Sequence, residues 1–393
     1  MIWCGCDRVV RRAEELAGRR WGLLAHHASV TEDLRPLHLA LAGTVAGAPR
    51  VLFSPEHGYW SVEQDMVPSD DAVDPWTGAP IRSLYGDGEE SLRPRADAFA
   101  DLDLLLIDLQ DVGARYYTYA ATAVWAAEVA LAAGVEVWVL DRPNPLGGSL
   151  VEGPGVEPAM YSFVGAFDLP VRHGLTLGEL VRLEAKRRAW DADGLRVWTV
   201  AGWKRTHTWQ ATGRPWLAPS PNMPSPQTAE IYPGGCLFEA TTLSEGRGTT
   251  RPFQLVGAPS IEPRALADHL TARRLPGVVF LPTYFKPQFQ KHALEVCAGV
   301  EIVVTDRHTF RPLRCGVELL RALLELFPES FRWRQEPYEF VSDRPAIDLL
   351  TGSSALRRAL EASSTEALET WLRSWRDAEQ AFRSERRSIL LYE

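Results

Sequence analysis

Residues 103–111 read Asp-Leu-Leu-Leu-Ile-Asp-Leu-Gln-Asp. The apolar run 104–107 has no polar alternation and ends at a carboxylate. Such continuous runs are typical of strands that helices cover on both faces, as in a parallel sheet. Because open sheets of this kind bind ligands at the carboxyl ends of their strands, the stretch predicts both a fold and the location of a site.

The same pattern occurs three more times within the first 145 residues. Apolar runs at 21–25, 50–53 and 137–140 are followed by His26-His27, by Ser54-Pro55-Glu56-His57-Gly58 and by Asp141-Arg142-Pro143-Asn144-Pro145. The Ala-rich stretch 117–133, closed by Gly134, predicts a helix, and 195–200 predicts a fifth strand. We therefore expect an α/β domain over residues 1–225, with a Rossmann-like, mostly parallel sheet flanked by helices.

The composition changes after Trp216, where four prolines fall within eight residues and exclude regular helix or central strand. We interpret this segment as an ordered connection to a smaller α+β domain over residues 226–393. Its predicted strands are 278–281 and 300–305, and its predicted helices are 317–326, 356–361 and 365–384.

Composition and charge exclude several classes of protein. The chain has 393 residues and a formal net charge of −9, whereas nucleic-acid binders neutralise phosphates with clustered Lys and Arg. No segment approaches the roughly 18 continuous apolar residues of a membrane span. The first residues lack the basic and apolar regions of a secretory leader, so we expect a cytoplasmic protein. Neither composition nor charge indicates the oligomeric state.

The usual cofactor and metal motifs are absent from the sequence. No G-x-G-x-x-G follows the first strand, and no phosphate-binding G-x-x-x-x-G-K-[ST] occurs. The G-x-S-x-G elbow of serine hydrolases and the zinc motif H-E-x-x-H are also missing. Five cysteines show neither a disulfide framework nor zinc-ligand spacing. We therefore predict no cofactor and no metal.

Carboxylates and arginines are instead concentrated in segments rich in Gly and Pro. Glycoside hydrolysis needs carboxyl groups of this kind, because two of them must flank the scissile bond. Glu56 is the strongest candidate, since its Pro-Glu-His-Gly turn has no capping pattern that requires a glutamate. Other acids have structural interpretations: Asp141 could form an ion pair with Arg142, and the tyrosines of 116–119 could belong to the core.

Together these segments resemble the NamZ-type exo-β-N-acetylmuramidases, exo-lytic peptidoglycan hexosaminidases. The similar blocks are LFSPEHG (52–58), TGAPIRSLYG (77–86), DLLLIDLQDVGARYYTY (103–119), VLDRPNPLGG with VEGP (139–154), LPVRHGLTLGEL (169–180), SPNMPSPQTAEIYPGG (220–235) and LSEGRGTTRPF (243–253). The resemblance implies a Rossmann-like domain that holds most of the site and a smaller C-terminal domain that closes the cleft. It also implies removal of terminal β-1,4-linked N-acetylmuramic acid from the non-reducing end of peptidoglycan fragments, in cell-wall turnover or recycling, without a cofactor.

The matched motifs supply the candidate site residues. The candidate catalytic residues are Glu56, Asp111 and Glu245. The candidate substrate-binding residues are His57, Asp108, Arg115, Tyr119, Asp141, Arg142, Asn144, Arg172, His173, Asn222, Arg247 and Arg251. Many relatives carry Asn-Gln where this chain has His26-His27, so substrate preference could differ if that position touches the sugar.

We expect Glu56 to protonate the glycosidic oxygen. The second participant is either a carboxylate, Asp111 or Glu245, or the acetamido oxygen of the substrate itself. Arg172 or Arg251 could hold the lactyl carboxylate of the sugar. Two other functions remain open at this stage: a non-catalytic muropeptide or sugar sensor on the same scaffold, and a metal-dependent amidase or deacetylase.

Overall fold

A seven-stranded sheet forms the centre of the first part of the protein. The computed structural model describes residues 2–191 and 193–393. The strands are β1 (Trp21–Ala25), β2 (Val51–Ser54), β3 (Ala72–Val73), β4 (Pro80–Ser83), β5 (Leu104–Asp108), β6 (Glu136–Leu140) and β7 (Leu195–Trp198). Their order is β3-β4-β2-β1-β5-β6-β7. Only β3 runs antiparallel to its neighbour, so the expected mostly parallel sheet is confirmed.

Burial explains why the central strands have continuous apolar runs. Every residue of β1 and β5 is buried, and these two strands pair along their full length. Helices cover both faces of the sheet. The helices of this part are α1 (Gly5–Val10), α2 (Leu37–Ala42), α3 (Tyr119–Ala132) and α4 (Leu177–Arg187). Because β1, β2, β5 and β6 run parallel to one another, the polar residues at their carboxyl ends lie at the same edge of the sheet.

The C-terminal part has a smaller antiparallel sheet, in the order β8-β10-β9. Its strands are β8 (Leu255–Ala258), β9 (Val278–Phe285) and β10 (Cys297–Val304). Its helices are α5 (Pro226–Gly235), α6 (Pro263–Ala272), α7 (Pro312–Leu326), α8 (Ala346–Thr351), α9 (Ala355–Glu361) and α10 (Thr365–Arg386). The predicted α+β character is therefore present.

Helix α5 connects the two parts and packs closely against α7. A Cβ atom on Gly234 would lie 1.9 Å from the carbonyl oxygen of Pro312, so only glycine permits this approach. The end of α10 returns to the first part, where Arg386 donates hydrogen bonds to the carbonyl oxygens of Gly148 and His173. The division at residue 225 stays a prediction, since buried apolar side chains of both parts form one continuous cluster.

None of the helices in the described residues combines the length and the apolar character needed to cross a bilayer.

Candidate active site

A cavity lies where the end of β2, the start of α3 and the C-terminal part meet. Its lining is polar and mostly buried. The lining residues are Glu56, His57, Asp65, Tyr116, Tyr117, Thr118, Val164, Ser220, Asn222, Met223, Tyr232, Glu239, Arg247, Phe253, Tyr338 and Glu339. Of the residues predicted from the sequence, Glu56, His57, Asn222 and Arg247 line this cavity.

Glu56 projects from the turn that follows β2. Its Oε2 accepts a hydrogen bond of 2.7 Å from the hydroxyl of Thr118, and its Oε1 accepts one of 3.3 Å from the backbone N–H of Met66. The carboxyl group is thus held at both oxygens, although the residue is only 4% exposed. Thr118, which sequence reasoning missed, lies inside the matched block 103–119.

The backbone after Glu56 is left-handed at two consecutive residues. His57 has φ = 72° and Gly58 has φ = 75°, and a positive φ at a non-glycine residue is uncommon outside sites where the fold enforces it. The His57 ring is held by a 2.9 Å hydrogen bond between Nδ1 and the carbonyl oxygen of Glu63. Tyr119 supports the turn from behind, where its hydroxyl donates to the carbonyl oxygen of Pro219 at 2.7 Å.

Arg247 is the one Lys or Arg in the described lining of the cavity. Its guanidinium lies 3.2 Å from Asp65, 2.6 Å from Glu239 and 3.3 Å from Glu245. Glu245 is buried one layer behind the wall, where it also pairs with Lys291 at 2.8 Å. Of the three candidate catalytic acids, only Glu56 therefore lines the cavity itself.

Three acids in the lining were missed by sequence reasoning: Asp65, Glu239 and Glu339. They come from separate segments of the chain. Asp65 and Glu239 each lie between two of the matched blocks, and Glu339 lies beyond the last block. No local pattern around them signals a site. Burial, followed by the neighbouring acids Glu56, Glu239 and Asp65, raises the pKa of Glu339 well above its usual range.

Asp108 and Arg142 form a buried pair under the strand ends. The guanidinium of Arg142 donates to both carboxylate oxygens of Asp108, at 2.6 and 2.8 Å, and to the carbonyl oxygen of Val30 at 3.0 Å. The ion pair considered for Asp141 and Arg142 is instead a hydrogen bond from the Arg142 backbone N–H to Asp141. Neither Asp108 nor Arg142 lines the cavity.

Asp141 and Asn144 fix the loop after β6. Asp141 accepts hydrogen bonds from the Thr176 hydroxyl and from the Gly178 backbone N–H at the start of α4, and from the Tyr392 hydroxyl. The side chain of Asn144 donates to the carbonyl oxygen of Leu175 at 2.8 Å. Both side chains therefore form hydrogen bonds with backbone groups or hydroxyl groups of the protein itself.

Arg115 and Arg172 are also buried among backbone carbonyl groups. Arg115 donates to the carbonyl oxygens of Pro154, Leu169 and Leu350, at 2.5–2.7 Å. Arg172 donates to the carbonyl oxygen of Leu146 at 2.6 Å. Both arginines tie loops together, and neither contributes to the cavity lining.

Asp111 lies behind the cavity beside His173. One carboxylate oxygen accepts a 2.7 Å hydrogen bond from the backbone N–H of Gly113 and lies 3.7 Å from His173 Nε2. Burial raises the pKa of Asp111 to about 7 and lowers the pKa of His173 to about 3. His173 is therefore neutral at pH 7, and the pair is not a strong ion pair.

The remaining predicted positions lie outside the cavity or at its margin. Arg251 pairs with Glu301 on the surface, where 42% of its side chain is exposed. His26 is buried, and its Nε2 accepts a 3.0 Å hydrogen bond from the Gln110 backbone N–H. His27 is exposed. The His26-His27 position thus supports the loop after β5 and does not line the cavity.

Two sequence profiles that carry the same family description match almost the whole chain. The sequence profile described as "Exo-beta-N-acetylmuramidase NamZ, N-terminal" matches residues 21–227, and the corresponding C-terminal profile matches residues 230–392. A curated relative from Bacillus subtilis (strain 168), the peptidoglycan beta-N-acetylmuramidase NamZ, is 38% identical over 96% of this chain and 88% of its own length.

Two solved structures from Bacteroides fragilis share the fold. Both are described as DUF1343 family proteins. One is 30% identical, with a TM-score of 0.89 over 100% of this chain and 99% of the other. The second is 24% identical, with a TM-score of 0.74 over the same shares, and supports the fold alone.

Proposed function

The chain belongs to the NamZ family of exo-β-N-acetylmuramidases and is a glycosidase of that kind, and on this premise we propose that the cavity around Glu56 is its catalytic centre. There the enzyme releases terminal β-1,4-linked N-acetylmuramic acid from the non-reducing end of peptidoglycan fragments. Membership of this family favours the enzyme over a non-catalytic sugar sensor on the same scaffold.

The position of Glu56 carries the proposal. It is a buried carboxyl group at the carboxyl end of a central parallel strand, where open sheets bind their ligands. The Thr118 hydroxyl and the Met66 backbone N–H fix its two oxygens. A carboxyl group held in this way is oriented before the substrate arrives, and it can exchange a proton with the reacting groups at the scissile bond.

The wall around Glu56 offers groups that suit a sugar. Ser220, Asn222 and Tyr117 bring hydroxyl and amide groups to the lining, which can bind ring hydroxyls and the acetamido group. Arg247 is the one Lys or Arg of the described lining and is therefore the candidate to contact the lactyl carboxylate. Since three carboxylates already surround Arg247, the cavity as a whole selects weakly for anions. In a fragment whose lactyl group carries an amide-linked peptide, the lactyl group has no negative charge. Such a fragment would avoid repulsion by the carboxylates of the cavity.

We further propose that the substrates are muropeptides or disaccharides derived from peptidoglycan and that the enzyme acts on them in the cytoplasm during recycling. Cell fractionation, with antibody detection of the chain, would test the compartment. Finding the protein outside the membrane would reject this part and leave the activity untouched.

The activity is tested with two chromogenic substrates, a β-glycoside of N-acetylmuramic acid and the matching β-glycoside of N-acetylglucosamine. We expect the protein to release the chromophore from the first and to act at least tenfold more slowly on the second. Addition of EDTA should leave the rate unchanged. Equal rates on the two glycosides would contradict the assignment to muramic acid, and loss of activity with EDTA would contradict a mechanism that depends on carboxyl groups alone.

A further inference from the structure

Glu339 enters the cavity from the C-terminal part, whereas Glu56 belongs to the first part. Both carboxyl groups line the same cavity, and Glu339 is only 7% exposed. The Tyr85 hydroxyl lies 3.2 Å from its Oε2. Each part of the chain thus supplies a buried carboxyl group to this cavity that forms no ion pair among the described residues, Glu56 from the first part and Glu339 from the C-terminal part.

The charges around Glu339 disfavour its ionised form. The groups that face it are Glu56, Asp65, Tyr85 and Glu239, and no Lys, Arg or His among the described residues forms an ion pair with it. Arg247 pairs with Asp65 and Glu239 instead. Burial and these acids raise the pKa of Glu339 well above its usual range and so favour its protonated form. Glu56, by contrast, accepts hydrogen bonds at both of its carboxyl oxygens, from the Thr118 hydroxyl and from the Met66 backbone N–H.

The backbone at Glu339 is held in an unusual conformation. Glu339 has φ = 47° and Phe340 has φ = 66°, and consecutive non-glycine residues in this region persist only where the surroundings enforce them. The Phe340 ring packs against Tyr85 at 5.4 Å. Tyr85 therefore supports both the side chain and the backbone of this segment, which directs a carboxyl group into the cavity.

We propose that Glu339 is the second catalytic carboxyl group and that it supplies the proton to the glycosidic oxygen. This inference rests on the proposed function. As the C1–O bond breaks, its electron pair stays with the oxygen, which takes the Glu339 proton and leaves as the hydroxyl of the next sugar. The water that adds to C1 gives its proton to Glu56. Afterwards Glu339 is ionised and Glu56 protonated, and exchange with solvent restores both. This proposal differs from the expectation from the sequence, in which Glu56 protonates the glycosidic oxygen.

The test compares two muramic acid glycosides whose leaving groups need different amounts of protonation. One has an alkyl or sugar leaving group, and the other has a strongly activated phenol, which departs without an acid. Glu339→Gln should lower kcat/KM at least 100-fold on the first and less than about tenfold on the second. Glu56→Gln should lower it on both. The alkaline limb of the wild-type pH profile on the first substrate should be absent in Glu339→Gln.

The matched control is Glu336→Gln, an exposed glutamate three residues earlier in the same segment, which should change neither rate. Near-normal activity of Glu339→Gln on the first substrate, or an equal loss on both, would overturn the proposal while leaving the enzyme's activity established. A wild-type protein inactive on both substrates would overturn the proposed function as well.

A second variant decides the question even if Glu339→Gln fails to fold. The Tyr85 hydroxyl lowers the pKa of Glu339 by hydrogen bonding, so Tyr85→Phe should move the alkaline limb to higher pH. A limb that stays in place in Tyr85→Phe would overturn the assignment of the proton to Glu339.

Discussion

Two groups of buried acids and arginines lie within one protein and differ in how their charges are matched. The strand-end network consists of Asp108, Arg115, Asp141, Arg142 and Arg172. There, Asp108 pairs with Arg142, Asp141 accepts hydrogen bonds from α4, and the other arginines donate to backbone carbonyl groups. The cavity set consists of Glu56, Asp65, Glu239, Arg247 and Glu339, four acids around one arginine.

The difference shows which buried charges maintain the fold and which are available for chemistry. Burial penalises a charged group unless a partner compensates it. In the strand-end network each charged group has a hydrogen-bonding partner, and the result is a fixed scaffold, although burial still raises the pKa of Asp141 to about 6 and lowers those of Arg115 and Arg172 to about 10. In the cavity set compensation is incomplete, which shifts the proton affinity of Glu339. Perturbed groups of this kind concentrate at functional sites.

The largest effect should come from breaking the strand-end network. Asp108→Asn leaves the Arg142 guanidinium buried without a countercharge, so we expect the free energy of unfolding to fall by about 3–5 kcal/mol. Urea denaturation measures it. The control is Asp71→Asn, whose ion pair with Arg82 is half exposed and should contribute at most about 1 kcal/mol. Equal losses in the two variants would show that the Asp108 pair is not structural, and the comparison would fail.

The next largest effect concerns catalysis. Glu56→Gln keeps the shape of the side chain but removes its ability to exchange a proton, so turnover of a muramic acid glycoside should fall about 100-fold or more. Since 1.36 kcal/mol corresponds to a factor of ten, this amounts to about 3 kcal/mol of transition-state stabilisation. Glu63→Gln, on the same loop, is the control. If Glu56→Gln kept near-normal turnover with an intact fold, Glu56 would have no catalytic role, and the cavity set could not be the catalytic centre as proposed.

A pH-dependent effect should distinguish Asp111, which pairs with no Lys or Arg of the described residues although it lies beside the strand-end network. Its pKa is about 7 in the folded protein because of burial, above the value near 3.9 of an unfolded chain. Protons are therefore bound more tightly by the folded state. The stabilisation is fully present below pH 4 and is lost as the pH rises through 7.

Asp111→Asn removes this titration. The unfolding free energy of the variant, relative to wild type, should therefore rise between pH 4 and pH 8, by on the order of 4 kcal/mol if the full shift of about three pKa units applies. Denaturation curves at both pH values measure the difference. A difference that does not change with pH would contradict the shifted pKa. A large loss of turnover in the same variant would place Asp111 with the cavity set, as the sequence predicted.

Much of the fold was predictable because central strands carry their own signal. The apolar runs of β1, β5 and β6 identify strands buried on both faces. The edge strand β3 and its neighbour β4 were not predicted, because these short, partly exposed segments have no comparable apolar run. In the C-terminal part, β9 and β10 are longer than expected, since pairing with a neighbour extends a strand beyond its most apolar residues.

The site was predictable only in part, for a different physical reason. Asp108 is the last residue of a central strand and Glu56 lies two residues beyond the end of another, and nothing local distinguishes their roles. Only tertiary structure shows that an arginine pairs with Asp108 and that no arginine of the described residues pairs with Glu56. Glu339 arrives from a segment almost 300 residues later in the chain, and its contribution depends on how the C-terminal part closes over the first.

The smallest effect should be that of Arg251, a candidate for binding the lactyl carboxylate from the sequence. Arg251 and Arg247 lie four residues apart, yet Arg247 lines the cavity among carboxylates while Arg251 forms a half-exposed pair with Glu301. Exposed ion pairs contribute at most about 1 kcal/mol. Arg251→Ala should therefore lower the unfolding free energy by less than that amount and leave kcat and KM within about twofold. A tenfold rise in KM for a free muramic acid glycoside, absent for a glycoside whose lactyl carboxylate is amidated, would show that the substrate extends beyond the cavity to this surface. The boundary of the cavity set would then have to be redrawn to include Arg251.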